Sequence, residues 1–236
     1  MMRFAHRIVC LWAISLATIG QADTITAAHY IDPTDRYNHA ILGDALEWGG
    51  LYLTRDNAPD ITITLPLSRV FEDIAPRLAD VDNDGTAEVV TVESDMTKGA
   101  RLAIYDATGL IAATPFIGRK NRWLAPVAVA DLDDDGFIEI AYVDRPHLAK
   151  TLKIWRFKNN RLTFVQDVPN LTNHKIGWPY ILGGLRHCPQ STPELILSNS
   201  NWTTAMRVYF NGHRYVSEKI EPLQKEADLN THLTYP

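Results

Sequence analysis

Cysteine is nearly missing from this chain: its 236 residues hold two, Cys10 and Cys188. Cys10 sits in an apolar N-terminal stretch that is expected to be removed. One thiol would remain, and one thiol forms no internal disulfide. Cys188 therefore reads as a small, half-buried apolar filler. Helical periodicity is also lacking. Beyond the first twenty residues no long stretch repeats its apolar positions at helical spacing, and no run is long enough to span a bilayer. There is no basic run: 23 Lys and Arg stand against 28 Asp and Glu, for a formal charge of −5. That balance disfavours nucleic acid and anionic membrane as partners. Gly-x-Ser-x-Gly, His-Glu-x-x-His and a glycine-rich phosphate loop are all lacking, so nothing here is expected to be an enzyme on motif grounds.

What is present is strand composition. Clusters of β-branched and aromatic residues alternate with turn residues, and 13 Pro and 13 Gly are spread along the chain, a pattern expected of an all-β protein. The front end reads differently. Arg3, His6 and Arg7 precede an apolar run from Ile8 to Ile19, and Gly20-Gln21-Ala22 offers small residues at the two positions that matter for cleavage. Residues 1–22 are thus expected to be a signal peptide, making the mature chain secreted or periplasmic, with no membrane insertion after cleavage. An exported chain without a disulfide needs another way to fix its loops, and a metal ion is one such way.

An internal repeat sets the architecture. Asp80-Val81-Asp82-Asn83-Asp84-Gly85-Thr86-Ala87-Glu88-Val89-Val90 returns 51 residues later as Asp131-Leu132-Asp133-Asp134-Asp135-Gly136-Phe137-Ile138-Glu139-Ile140-Ala141. Leu102-Ala103-Ile104-Tyr105 returns as Leu152-Lys153-Ile154-Trp155. A worn third copy keeps Glu194-Leu195-Ile196-Leu197 and Met206-Arg207-Val208-Tyr209, but its loop, Arg186 to Pro193, holds no acid. A front copy places Asp44 in register with Asp80, followed by Leu51 to Thr54 and Ile61 to Thr64. Each copy reads as four short antiparallel strands in about 50 residues, one propeller blade. A lone blade cannot bury both faces, so neighbours must stack. A β-sandwich is the alternative assembly, although a sandwich does not require repetition at this period. The expected fold is a β-propeller-like array of about four four-stranded blades over residues 23–222, with calcium loops in the two middle blades and a loose tail at 223–236.

The acidic loops carry the chemistry. Asp-x-Asp-x-Asp-Gly-x-x-Glu sets carboxylates at positions one, three and five, which converge if the chain curls round an ion. Glycine at position six permits the positive φ such a curl needs. Position seven offers a backbone carbonyl, and the glutamate at position nine closes the shell. All-oxygen donors of this number suit calcium better than magnesium, which demands strict octahedral geometry. An EF-hand is excluded: position twelve is Thr91 or Tyr142 instead of an acid, and the flanks have strand composition. The alternative is an Asp-rich turn without metal, but three like charges within five residues repel unless something neutralises them.

These two loops resemble the calcium loops of FG-GAP and VCBS repeats, found in integrin α-subunit propellers and in exported bacterial proteins. The resemblance spans roughly residues 34–220, most closely in the two middle units. It implies one calcium held by Asp80, Asp82, Asp84, Thr86 and Glu88, and a second held by Asp131, Asp133, Asp135, Phe137 and Glu139, both structural. Position nine is Glu in both loops, where the family often has Asp. Four units are few for such a propeller, so the array is expected to stand as a small propeller, to be closed by its termini, or to pair as a homodimer. The implied role is a binding module for a protein or carbohydrate ligand. The alternative is a hydrolase or lyase that gathers His39, His174, Arg145 and His147 on one face, and it requires those side chains to meet in one concave site. Of the tryptophans, Trp48, Trp123, Trp155, Trp178 and Trp202, most are expected in blade packing, and a subset on an open face could stack on sugar rings. Asn170-Leu171-Thr172 and Asn201-Trp202-Thr203 match the glycosylation sequon.

Overall fold

The computed structural model describes residues 23–43 and 46–234. The expected signal peptide and Asp44 lie outside the described residues. Valine, isoleucine, threonine and aromatic runs separated by Asn, Asp and Gly turns build strands almost throughout. The first unit is β1 (Ile25–Thr34), β2 (Glu47–Arg55) and β3 (Ile61–Thr64). The second is β4 (Arg69–Phe71), β5 (Arg77–Ala79), β6 (Glu88–Asp95), β7 (Gly99–Asp106) and β8 (Gly109–Ala113). The third is β9 (Leu124–Ala130), β10 (Glu139–Asp144), β11 (Thr151–Lys158) and β12 (Arg161–Pro169). The fourth is β13 (Leu171–Thr172), β14 (Gly184–Arg186), β15 (Glu194–Asn199), β16 (Thr204–Phe210) and β17 (Tyr215–Pro222). All pairings are antiparallel.

Among the described residues three sheets result where four blades were expected. The first and second units share one eight-stranded sheet, because β4 pairs with β6 on one side and touches β2 on the other, Trp48 opposite Phe71. The third unit is the four-stranded β12-β11-β10-β9, as the repeat predicts.

Packing explains why the second strand of each unit is apolar on both faces. Val90 and Val92 of β6 share a core with Ile140 and Tyr142 of β10. Ala141 and Val143, on the other face of β10, share the next core with Leu195 and Leu197 of β15. Val89 turns instead to Leu51, Leu53 and Phe71. The second and third units are thus each sandwiched between neighbours, which is what stacking of repeats demands. Residues 40–43 of the first unit reach the 173–183 segment of the fourth: Ile41 accepts the Gly177 N–H at 2.9 Å. The first and last units therefore touch through loops.

The tail corrects an expectation. Residues 226–233 form a 3-10 helix in place of loose chain. Leu229 is fully buried with Leu182, Ile196 and Ala205. Asn230 Oδ1 accepts the Gly183 N–H at 2.8 Å, and the His232 carbonyl accepts Arg186 Nη1–H at 3.2 Å. The reason is the stack itself: β15 turns Ile196 away from the third unit, and that outer face needs a cover. Leu229→Ala is expected to cost about 2–5 kcal/mol, read as a lower urea midpoint at unchanged slope; a loss below about 0.5 kcal/mol would mean the segment is loose after all.

Candidate metal loops and a histidine cavity

Each acidic loop joins two paired antiparallel strands of its unit, β5 to β6 and β9 to β10. The two adopt the same backbone path. Position four is left-handed in both, Asn83 and Asp134 at φ 61°, and so is position six, Gly85 at 90° and Gly136 at 84°. Asn and Asp tolerate that region better than other side chains. Asp80 accepts the N–H groups of Asp84 at 3.1 Å and Gly85 at 3.0 Å, and Asp131 accepts those of Asp134, Asp135 and Gly136. Glutamate at nine is split between two tasks. Glu88 Oε2 accepts the Val81 N–H, and Glu139 Oε2 the Leu132 N–H, each at 2.9 Å. The other oxygen of Glu139 accepts from Arg156 Nε at 2.6 Å, and that of Glu88 makes no hydrogen bond with the backbone among the described residues.

Oxygens of Asp80, Asp82 and Glu88 lie within 4.8 Å of one another, as do those of Asp131, Asp133 and Glu139. These are positions one, three and nine. Asp84 and Asp135, at position five, stand apart from the triads; each accepts the position-seven N–H, from Thr86 at 2.7 Å and from Phe137 at 3.0 Å. Phe137 itself lies under Lys158 Nζ, 4.0 Å from the ring centre. The convergence of charge is costly as it stands. Burial pushes the Glu88 carboxyl up to about 7, reinforced by Asp82, Asp84 and Asp80. Glu139 is likewise pushed up by burial, to about 6, against the hydrogen bond from Arg156.

The loops differ in one respect that the repeat does not show. Arg156 of β11 stands directly across from Glu139. Its guanidinium meets Glu139 Oε1 at 2.6 Å, Asp133 Oδ2 at 2.5 Å and Asp135 Oδ2 at 2.8 Å. In the second unit Val89 faces Tyr105, which puts Asp106 one step along at the position of Arg156. Among the described residues no Lys or Arg pairs with Asp80, Asp82, Asp84 or Glu88. The fourth unit goes further. Its loop has no acids, yet Glu194 still opens β15, buried, and Arg186 sits across from it. Arg186 Nε donates to Glu194 Oε2 at 3.0 Å, and Arg207 adds a contact at 3.1 Å. In the fourth unit, where the loop acids have gone, guanidinium groups thus take the counter-ion role at Glu194.

The residues fit a hard divalent cation. The donors are all oxygen, one carboxylate oxygen of each glutamate is free of the backbone, and Asp133 Oδ1 is buried with no hydrogen-bond partner, an arrangement that costs free energy unless something binds there.

At the opposite end of β10 the histidines meet. His39, Arg145 and His147 line one cavity of about 300 Å³. His174 Nδ1 lies 3.3 Å from His147 Nε2. His39 Nδ1 is 2.5 Å from Glu72 Oε1, and Glu72 is fully buried, its second oxygen taken by Ser94. Breaks in the first strands supply these groups: Glu72 falls between β4 and β5, and His174 between β13 and β14. Of the four side chains named by the alternative reading, His39, Arg145 and His147 line the cavity, and His174 stands behind His147 without lining it. Trp123 is buried, its Nε1–H on the Glu72 carbonyl at 2.8 Å. Trp178 and Trp202 remain half-exposed with Tyr180, ring centres 5.0 and 5.2 Å apart.

No helix among the described residues is long and apolar enough to cross a membrane. No curated protein matches the chain. Residues 80–142 match the family model of the FG-GAP-like repeat, a stretch that takes in both acidic loops.

Proposed function

We propose that this chain is a secreted or periplasmic interaction module whose stacked β units are pinned by structural calcium at residues 80–88 and 131–139, and which binds a protein or glycan. The observation that carries it is the pair of loops with one backbone path and one set of converging oxygens, within the FG-GAP-like match. Bound calcium would supply positive charge to carboxylates that otherwise repel. Asp80, Asp82 and Glu88 would hold one ion and Asp131, Asp133 and Glu139 another, with Asp84, Asp135 and the carbonyls of Thr86 and Phe137 completing the shells. Glu88 and Glu139 couple the ion to the fold, since each is also bonded to the backbone at loop position two. The ligand face is supported by the Trp178, Tyr180 and Trp202 group, with Lys175 Nζ 5.5 and 5.4 Å from the two indole centres; such a surface stacks on sugar rings or peptide aromatics.

Thermal melts in calcium and in chelator test the metal. At calcium about 100-fold above Kd a site adds about 2.7 kcal/mol, several degrees for a domain of this size. Magnesium at equal concentration is expected to do less. Identical melts in calcium and chelator would overturn the proposal.

The second reading, a hydrolase or lyase, rests on His39, Arg145 and His147 lining one cavity, with His174 against His147.

A further inference from the structure

We propose that the cavity lined by His39, Arg122 and His147 binds a small hydroxylated carboxylate, with sugar acids as the fitting class. The site stands apart from the metal loops, at the other end of β10, and holds whether or not any reaction follows.

Its polar groups fall into two sets. The donors are guanidinium groups. Arg122 uses Nη1 on the Asn121 carbonyl at 3.0 Å and has no carboxylate partner among the described residues. Arg145 sets Nε and Nη2 on Asp144 at 2.8 and 2.9 Å, which leaves Nη1 uncommitted. A planar fork with spare N–H groups matches a carboxylate.

The acceptors follow from a chain of hydrogen bonds. The Trp178 carbonyl can only accept, so His174 Nε2, 2.8 Å away, carries the proton. Burial holds His174 below its ordinary range, so the ring is neutral and its Nδ1 is a lone pair. His147 Nε2 must then donate to it across 3.3 Å. His147 is neutral as well: burial first, then His174, His39 and Lys150, lower it to about 4. Its Nδ1 is therefore a lone pair without a partner among the described residues. Asn121, which lines the same cavity, has its Oδ1 buried and unpartnered. A buried acceptor without a donor, Asn121 Oδ1, and the open lone pair of the half-buried His147 ring call for ligand hydroxyls. His39 is fixed by Glu72 through Nδ1 and keeps Nε2 for the ligand. Ile41, together with Leu148 and Ile176, which are 61% and 69% exposed, offers an apolar edge to the C–H face of a ring. The volume of about 300 Å³ accommodates one such molecule.

The test is titration of the full chain with D-glucuronate, glucose and acetate, followed by histidine ring C–H resonances and calorimetry. Glucuronate is expected to shift the His39 and His147 resonances saturably. Glucose lacks the carboxylate and acetate lacks the hydroxyls, and each is expected to bind at least tenfold more weakly. Arg122→Gln removes a cation that pairs with no acid, so its melt should match the parent while glucuronate weakens at least tenfold. No saturable shift, or less than a tenfold difference in any of these comparisons, overturns the proposal.

Discussion

Arg156→Met is expected to lower the stability of the metal-free chain by about 2–4 kcal/mol while raising calcium affinity at residues 131–139 about tenfold. Both effects follow from one geometry. Without metal, Arg156 is the one cation among the described residues that pairs with Asp133, Asp135 and Glu139. Glu139 is fully buried, and removing the partner of a buried charge typically costs about 3–5 kcal/mol. The Arg156 side chain is a quarter exposed, which reduces the expected cost. Burial opposes its charge, but the hydrogen bond and charge of Glu139, with Asp133 and Asp135, hold it well above the usual arginine range. With calcium present, that same positive charge competes for the same oxygens, so its loss should favour the ion. Urea unfolding with and without calcium, together with calorimetry, reads both effects. A variant destabilised equally in calcium and in chelator would mean that Arg156 is only a structural bridge.

The fourth unit should behave as the opposite case. Arg186→Met is expected to cost about 3 kcal/mol, and calcium should restore none of it. Arg186 and Glu194 are both 8% exposed in their side chains, and residues 187–193 hold no carboxylate that could bind an ion. Arg207 remains near Glu194 but is 37% exposed, so it screens the charge only in part. The double variant Arg186→Met, Glu194→Met should recover most of the loss, because an apolar pair of similar size removes both the buried charge and its need for a partner. Recovery of Arg186→Met by calcium, or no recovery in the double variant, would contradict this reading.

The parts of the site legible in the sequence are the local ones. Three aspartates, a glycine and a glutamate at fixed spacing describe one curled loop, and their return 51 residues later describes a repeat. The left-handed Asn83 and Asp134 were written there too, in the preference of Asn and Asp for that conformation. What the spacing could not show is what lies across a strand. Arg156 reaches Glu139 from 17 residues away only through the β10–β11 register, and nothing in the motif separates it from Asp106 in the unit before. Arg186 looked like part of a degraded loop because its partner is defined by pairing. The 3-10 helix at 226–233 is polar and weakly patterned, and its docking depends on one leucine meeting a face exposed by the end of the stack. The union of the first two units into one sheet rests on the three residues of β4, too few to read as a strand of their own. The histidines were visible singly, but only the breaks in the first strands bring them together.

The most direct measurement is a calorimetric calcium titration of the chain beside Asp82→Asn and Asp133→Asn. Two binding events are expected in the parent, the tighter at residues 80–88, where no arginine competes. Asp82→Asn should lose the tighter event and Asp133→Asn the weaker one. Absence of any binding, or binding that survives both substitutions unchanged, would show that the converging carboxylates are turns and not calcium sites.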